Sequence, residues 1–547
     1  MVSLFDRARM MGPPPMPRYP NLAVKFLIIV LPVPKTPKQF LPPPASRLPP
    51  MPNIPNERFD VLVIGGGITG CGVARDAAMR GLKVLLVERD DFASGTSGRS
   101  SRLVHGGIRY LEHGQLHLVR ESIRERETLL RIAPHLVQPL AFTWPIYRGA
   151  RVGRWKLAAG LFLYELLALG KSRRHSTLNP EETLEREPSL STTGLTGGAL
   201  YYDARTDDAL LTIATALAAE QSGAVLASHT RVTEIVRGAG KAVGAVVTPQ
   251  YSGEREEVRA RVVVNATGVW QNELGASGRA RPHGSKGVHI AVPTERVGNR
   301  DAITMISAVD GRVMFCLPAR TQTIIGTTDT WTDESPETVH ALASDVDYLL
   351  RSANAYFPRA RLTFDDVVSA WAGIRPLASG TTANPSAASR EHSIVADESG
   401  VIHVTGGKLT TYRSMAAEIV DRVQETLGQK VGAAPTDSVE LPGADRDAQI
   451  ARLQREDPRL AEHLTPELPH TGADLVYGVR REKAQTLSDL LIRRTHLAFE
   501  TRDHGSSVAA RAADIVAPLL GWDDQTKSAR VREYQQDIGR MFAITAG

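Results

Sequence analysis

Residues 59–90 constrain the fold of this chain more than any other stretch. They begin with an apolar run that ends at Ile64, and a run without polar alternation is typical of a parallel strand buried on both faces. Gly65, Gly67 and Gly70 follow in the spacing G-x-G-x-x-G. The first glycine permits a tight turn, the second lets the backbone approach a pyrophosphate, and the third lets the next helix pack on the strand.

The residues after the glycines complete a strand–helix–strand unit. Residues 68–80 carry small and apolar side chains at helical spacing, and residues 83–87 form a second apolar run. Glu88 ends this run about 20 residues past the glycines, where an acid would bind a ribose 2′-hydroxyl. The order predicts a dinucleotide-binding domain and disfavours NADP, but the motif alone does not separate FAD from NAD.

The length and composition predict a globular protein of two or three domains, because 547 residues exceed what one core holds. The net charge of +5 and the isoelectric point of about 9.1 fit scattered surface arginines, an anionic substrate or an anionic membrane face. Cys71 and Cys316 fall in apolar segments, so we expect buried thiols in a reducing compartment. No His/Cys spacing suggests a metal.

The first 56 residues differ from the rest, being crowded with proline and carrying one acid. We expect a disordered tail, or a start assigned too early with Met51 as the true one. Residues 146–175 hold an apolar helix between basic flanks, with Trp155 and Tyr164 able to sit at a polar–apolar boundary. This composition fits an interfacial helix on an anionic leaflet and equally an ordinary core helix.

Further polar and glycine-rich segments are candidates for cofactor contacts. The loop at 92–112 can donate hydrogen bonds from its hydroxyls and from Arg99, Arg102 and Arg109. A buried strand runs into residues 266–268, and another leads into a helix opening at Gly406-Gly407, where free N–H groups could meet an anion. The predicted cofactor residues are Gly65, Gly67, Gly70, Glu88, Thr96, Ser97, Ser101, Ala266, Thr267, Gly268, Gly406, Gly407, Lys408 and Leu409.

Beyond residue 435 the pattern changes to polar helices at 445–456, 479–498, 507–520 and 528–542. We interpret this region as a separate helical domain, in which Arg493, Arg494 and His496 are expected to be surface charges.

The chain resembles the FAD-dependent, membrane-associated glycerol-3-phosphate dehydrogenases over about residues 57–540. The matching stretches include SSRLVHGGIRYLEHG, VNATGVW, KGVHIAVP, IIGTTDT, GIRPL, GGKLTTYR and LIRRTHLAF. The first and sixth of these are more specific than the glycine fingerprint, which many flavoproteins share.

The resemblance implies an α/β fold of the glutathione-reductase/D-amino-acid-oxidase type. The expected segments are an FAD-binding domain at 57–135, 197–284 and 368–430, a sheet-based substrate and membrane-facing domain at 136–196 and 285–367, and a helical domain at 435–547. It further implies peripheral attachment to the inner face of the cell membrane through 146–175. A homodimer is possible, and nucleic-acid binding is not expected.

The implied reaction is hydride transfer from sn-glycerol 3-phosphate to FAD, giving dihydroxyacetone phosphate, with electrons passing to membrane quinone. By resemblance the substrate pocket contains Arg109, Tyr110, Arg375, Arg390, Lys408 and Thr411. His289 and, second, His105 are the candidate proton acceptors, since a neutral imidazole is available near pH 7. Arg375 or Lys408 could instead stabilise an alkoxide.

Three alternatives stay open at this point. A glycerol-3-phosphate oxidase would run the same half-reaction with O2 as acceptor. An amine-oxidising relative shares the fingerprint, although its carboxylate substrates do not need this many pocket arginines. A flavin-binding protein without turnover is disfavoured by the presence of Arg375 and Lys408.

Overall fold

The computed structural model describes residues 54–168, 173–274, 284–376 and 392–546. Most of the predicted proline-rich tail lies outside these ranges. Ile54 is described and packs among buried residues of the core, although it belongs to the stretch expected to be a tail.

The strands and helices alternate through most of the described chain. The strands are β1 (Arg58–Ile64), β2 (Val84–Val87), β3 (Leu103–Val104), β4 (Val137–Tyr147), β5 (Ser176–Leu178), β6 (Leu195–Thr206), β7 (Val225–Ala227), β8 (Thr230–Gly238), β9 (Lys241–Pro249), β10 (Glu256–Asn265), β11 (Gly284–Pro293), β12 (Ala302–Ile306), β13 (Val313–Ala319), β14 (Gln322–Gly326), β15 (Thr330–Thr332), β16 (Ala341–Leu342), β17 (Ser369–Pro376), β18 (Ser393–Ala396), β19 (Ile402–Thr405) and β20 (Ile544–Thr545). The α-helices are α1 (Ile68–Met79), α2 (Leu116–Ile132), α3 (Arg154–Leu167), α4 (Pro180–Arg186), α5 (Asp208–Gln221), α6 (Thr294–Val297), α7 (Ala343–Tyr356), α8 (Tyr412–Thr426), α9 (Arg446–Glu456), α10 (Gly472–Arg481), α11 (Leu497–Glu500), α12 (Ala509–Leu520) and α13 (Asp524–Met541).

The first sheet contains the predicted strand–helix–strand unit. Its strands lie in the order β18-β19-β10-β1-β2-β7, and the five from β19 to β7 run parallel. Helices α1, α5 and α8 bury their apolar sides on one face. The hairpin β8–β9 packs on the other face. The apolar, non-alternating sequence of β1 follows from this burial on both sides, and the prediction from residues 59–90 is confirmed.

The second sheet is mainly antiparallel, in the order β15-β11-β14-β13-β12-β4-β6-β3, with β17 also paired to β11. Helix α7 covers one part of it, while α3 and the C-terminal helices contribute to a shared core elsewhere. Strand β17 belongs to this sheet, although it falls in a segment (368–430) predicted for the FAD-binding domain. It places its residues directly beside those of β11.

Strands β7 and β8 are separate, because His229 between them adopts a left-handed φ of 51° and its Nε2 lies 3.0 Å from a carboxylate oxygen of Asp489. Helix α7 begins at Ala343, since Ala341 and Leu342 pair with β20 instead. The helix expected at 479–498 is divided: α10 ends at Arg481, and a π-helical turn, Asp489–Arg494, precedes α11.

The C-terminal helices share a core with the second sheet. Phe499 packs edge-on against Trp371 of β17 at 5.1 Å between ring centroids. The expectation of surface charges is wrong for this region, because Arg494 is 1% exposed and binds the fully buried Asp91 beside the nucleotide-binding unit. Arg493 lies 2.6 Å from the same carboxylate. Arg493 also pairs with the buried Asp489 at 2.7 Å, so two carboxylates balance the two cations and permit their burial.

Candidate nucleotide and substrate site

A first cavity lies at the carboxyl ends of the parallel strands, where nucleotides bind in folds of this type. It is lined by predicted cofactor residues from β1, β2, the following loop and the end of β10. These are Gly65, Gly67, Glu88, Thr96, Ser97, Ala266, Thr267 and Gly268. We call this space the nucleotide cavity.

The glycines allow the backbone to form this cavity. Gly65 has a φ of 107°, and a Cβ there would lie 2.7 Å from the carbonyl oxygen of Ala266. A Cβ on Gly70 would lie 1.9 Å from the carbonyl oxygen of Gly65, so α1 could not pack as it does. Gly70 does not line the cavity and acts through packing, which is the role predicted for the third glycine.

Glu88 is held in place at the end of β2 by backbone donors. Its Oε2 accepts the Gly66 N–H at 2.6 Å, and its Oε1 accepts the Asp90 N–H at 2.8 Å. Burial, together with the charge of Asp90, raises the pKa of Glu88 to about 7. A carboxyl group fixed at this edge fits the ribose of a dinucleotide, and the backbone of Gly67, which lines the cavity without a side chain, fits its pyrophosphate.

A second cavity, the flavin cavity, adjoins the first through Ile68, Thr96 and Ser97. The remaining predicted cofactor residues line it, namely Ser101, Gly406, Gly407, Lys408 and Leu409. Lys408 is distinctive because its buried Nζ lies 4.0 Å from the centroid of the Tyr110 ring and has no hydrogen-bond acceptor within the described part of the chain. A buried ammonium without an acceptor fits a site that a cofactor or anionic substrate completes.

The helix after Gly406-Gly407 begins later than expected. Both glycines have positive φ values, 79° and 91°, and form a turn, whereas α8 starts at Tyr412. A Cβ on Gly407 would lie 2.6 Å from the sulfur of Met415, so the turn requires glycine there. The free backbone N–H groups at the start of α8 therefore lie after Gly406 and Gly407 in the chain.

A third cavity, the substrate cavity, shares Ser101, His105, Tyr110 and Arg375 with the flavin cavity. Its other walls bring in residues that the sequence analysis did not select, from β4, β6, β13 and the segment after β14. These are Phe142, Tyr201, Asp203, Arg312, Phe315, Thr327 and Asp329. Thr327 and Asp329 fall within the IIGTTDT stretch, whereas the others lie on separate elements outside the stretches that carry the family resemblance.

Arg375 is oriented by contacts on three sides. Its Nη2 donates to the hydroxyl of Thr327 at 3.0 Å, and its Nη1 lies 3.3 Å from a carboxylate oxygen of Asp329. A Cβ on Gly287 would lie 2.3 Å from Nη2, so this glycine makes room for the guanidinium. The planar guanidinium is thus fixed at the cavity wall, and its geometry suits a phosphate.

His289 lies in a cross-strand stack. Its ring packs parallel to Trp371 at 5.3 Å between centroids, and its Nε2 is 2.8 Å from the Ser101 hydroxyl. Burial, followed by the charges of Arg375 and Arg102, lowers the pKa of His289 to about 3. A neutral imidazole with so low a pKa is a weak proton acceptor near pH 7.

His105 lines both the flavin and substrate cavities, and its backbone N–H donates to the Thr410 hydroxyl at 3.2 Å. Thr410, and not the predicted Thr411, lines the flavin cavity; Thr411 is buried at the N-terminus of α8. Arg390 lies outside the described residues. Only the backbone of Arg109 is described.

The arginines of the serine-rich loop have different positions. Arg99 lines the flavin cavity, and burial, more than the nearby charge of Arg493, lowers its pKa to about 10. Arg102 instead packs over the ring of Phe499 at 4.8 Å and approaches His496 Nδ1 at 3.2 Å. The expectation that Arg102 donates to a cofactor is therefore wrong, because it links the loop to the C-terminal helices.

Helix α3 has two distinct faces. Leu157, Leu161 and Tyr164 are buried against the protein. On the opposite face Trp155, Phe162 and Leu166 are 87%, 64% and 60% exposed. Exposed basic residues precede the helix and occupy its first turn: Arg148, Arg151, Arg154 and Lys156. Within the described ranges, no helix combines the length and the apolarity needed to cross a bilayer.

Comparison with known proteins matches two family models. Residues 60–422 match the FAD dependent oxidoreductase family, and residues 435–527 match the C-terminal domain of alpha-glycerophosphate oxidase. Glycerol-3-phosphate dehydrogenase 2 of Mycobacterium bovis is 38% identical over 90% of both chains. Glycerol-3-phosphate dehydrogenase of Synechocystis is 36% identical over 89% of this chain and 97% of the relative.

The fold resembles a solved structure with similar coverage. The glycerol-3-phosphate dehydrogenase of Bacillus halodurans, crystallised in complex with FAD, has a TM-score of 0.70 and 30% identity. The alignment covers 90% of this chain and 96% of the bacillar chain.

Proposed function

This chain belongs to the FAD-dependent glycerol-3-phosphate dehydrogenase family, and from that premise we propose that it oxidises sn-glycerol 3-phosphate to dihydroxyacetone phosphate. FAD is its cofactor and, when bound, accepts the hydride. The observation that carries the proposal is the set of oriented cations, Arg375 and Lys408, at the walls of the flavin and substrate cavities.

The cations favour a phosphorylated alcohol over an amine substrate. Arg375 would bind the phosphate through its planar guanidinium. Lys408 would add a second positive charge, since its buried Nζ has no hydrogen-bond acceptor among the described residues. Binding energy gained at the phosphate can hold the remote reacting carbon in one pose. By resemblance, Arg109 and Arg390 would add to this phosphate site.

We assign the proton acceptor to His105. The sequence analysis ranks His289 first, but the low pKa of His289 and the engagement of its Nε2 with Ser101 argue against that order. His105 lines both the flavin cavity and the substrate cavity, which is where an acceptor of the hydroxyl proton would have to lie. His289 then acts on Ser101, whose hydroxyl it orients.

We further propose that electrons leave through quinone at an anionic membrane. The support is α3, whose exposed apolar face and basic flank match an interfacial helix on the cytoplasmic leaflet. An isolated exposed apolar residue needs no explanation, but three on one helical face do. Membrane binding would place the site beside its lipid-soluble acceptor.

The test compares acceptors and vesicles in one preparation. We expect turnover of sn-glycerol 3-phosphate with a quinone analogue to exceed turnover with O2; the opposite order would identify an oxidase. Turnover of glycine or sarcosine in place of the phosphate ester would contradict the substrate assignment.

Membrane attachment is tested by vesicle flotation. We expect wild type to float with anionic vesicles and a Trp155→Ser/Phe162→Ser variant to remain in solution with its dye-linked turnover intact. Phe364→Ser is the matched control, because Phe364 is an exposed aromatic residue outside α3. Equal flotation of all three proteins would contradict the role of α3.

A further inference from the structure

A buried carboxylate connects the wall of the substrate cavity to helix α3. Asp203 of β6 lines that cavity and is 4% exposed. Its Oδ1 accepts the backbone N–H of Gly106 at 2.9 Å and the hydroxyl of Tyr164 at 2.7 Å. Arg126 of α2 pairs with the same oxygen at 2.5 Å. One carboxylate oxygen therefore joins three elements and the loop that carries His105.

Tyr164 comes from the inner face of α3 and is 4% exposed. Burial, with the charge of Asp203 next, raises the pKa of Tyr164 well above its usual value, so its hydroxyl remains a donor. The fit around it is tight, because a Cβ on Gly106 would lie 2.0 Å from the Tyr164 oxygen. The ring itself packs in one cluster with Tyr110.

From these contacts we propose that Tyr164 and Asp203 are positioning residues for the reaction, which hold the loop from His105 to Tyr110 in its working geometry. This rests on the proposed oxidation of glycerol 3-phosphate. Gly106 is the neighbour of His105 in the chain, so a bond to its N–H fixes the backbone that carries the proton acceptor. Tyr110 ends the same loop and lies under the Lys408 ammonium.

Tyr164 lines neither the substrate cavity nor the flavin cavity, so its effect on the reaction passes through the carboxylate of Asp203. A displacement of about 1 Å in a catalytic group can lower a rate about 100-fold. Tyr164→Phe removes the hydrogen bond to Asp203 and the one that Arg126 Nη1 donates to the Tyr164 hydroxyl at 3.2 Å. The ring, the Asp203–Arg126 pair and the Gly106 bond remain. Small shifts of His105 are therefore expected without loss of the fold.

The experiment is anaerobic stopped-flow reduction of the bound flavin by sn-glycerol 3-phosphate. For Tyr164→Phe we expect the limiting rate per bound FAD to fall about 10- to 100-fold, with half-saturation within about twofold of wild type. The solvent isotope effect should rise, because proton transfer to a misplaced His105 becomes more limiting. FAD content and Tm should stay close to wild type.

Tyr147→Phe is the matched control. Its hydroxyl also donates one hydrogen bond, to the carbonyl oxygen of Ser191 at 3.1 Å, but Tyr147 does not line the described cavities of the site. We expect its reduction rate and isotope effect to equal those of wild type.

Two results would overturn the positioning role. One is an unchanged rate per bound FAD in Tyr164→Phe; the other is a lower FAD content or Tm with the rate and isotope effect unchanged, which indicates structural support alone. If Tyr164→Phe does not fold, Asp203→Asn, which keeps an acceptor for Gly106, is measured by the same criteria. Failure of the wild-type flavin to be reduced would instead contradict the proposed function itself.

Discussion

Replacing Arg375 by Gln separates two effects that the structure assigns to this side chain. The variant loses the cation proposed to hold the substrate phosphate. It also removes the contact at 3.3 Å between the guanidinium and Asp329, a carboxylate that is 3% exposed and also accepts from the Ser285 hydroxyl. A second variant, Arg375→Gln/Asp329→Asn, removes the negative charge of Asp329 as well but does not restore the phosphate contact.

The expected sizes of these effects follow from the contacts. One hydrogen bond to a charged group contributes about 1.5–3 kcal/mol, so kcat/KM for the phosphate ester should fall about 10- to 150-fold in both variants. Breaking a buried ion pair costs about 3–5 kcal/mol of unfolding free energy. The lower end applies to the single variant, because Arg375 keeps 21% exposure, and the double variant should recover most of that loss.

The assay measures kcat/KM for sn-glycerol 3-phosphate and for glycerol, together with Tm, in wild type and both variants. Glycerol has no phosphate, so its slow oxidation should change little. An equal loss for both substrates would refute the phosphate contact and indicate general damage to the site. Full recovery of kcat/KM in the double variant would show that the loss came from the negative charge of Asp329 and not from a lost phosphate contact.

Three further predictions test other parts of the site. In the FAD-free protein the pKa of Glu88 is raised to about 7, so the stability that this carboxyl group contributes is present below about pH 4.5 and is lost as the pH rises through about 7. Glu88→Gln should therefore flatten the fall in Tm between pH 5 and 8. Gly326→Ala should slow flavin reduction, since its Cβ would lie 2.3 Å from the His289 ring; an unchanged rate would contradict the fixed position of that ring. Asp91→Asn leaves Arg494 buried without its anion, so denaturant unfolding should show a loss of about 3–5 kcal/mol, and a loss below 1 kcal/mol would contradict the structural importance of this pair.

The nucleotide-binding unit could be predicted because its chemistry is local in sequence. Gly65, Gly67 and Gly70 act on neighbours within one turn, and Glu88 follows at the length that one helix and one strand impose. The spacing of these residues in the sequence therefore predicts their positions in the strand–helix–strand unit. The candidate substrate residues came instead from the resemblance to the family, and of these His105, Tyr110, His289, Arg375 and Lys408 line the flavin or substrate cavity.

Contacts between distant segments could not be read in this way. Asp203, Arg126 and Tyr164 lie on different elements, and each alone resembles an ordinary polar residue on a strand or helix. Arg494 looks like a surface charge until the fold brings Asp91 to it. Burial, which no motif expresses, lowers the pKa of His289, and this argues against placing that ring first as the proton acceptor.

The central claim is tested most directly by adding sn-glycerol 3-phosphate to the purified FAD-bound protein without oxygen. Oxidised flavin absorbs near ~450 nm, and the account predicts that this band bleaches with one equivalent of substrate. Glycerol at the same concentration should leave the band almost unchanged. A flavin band that persists with the phosphate ester would contradict the assignment of the substrate cavity and of the cations that line it.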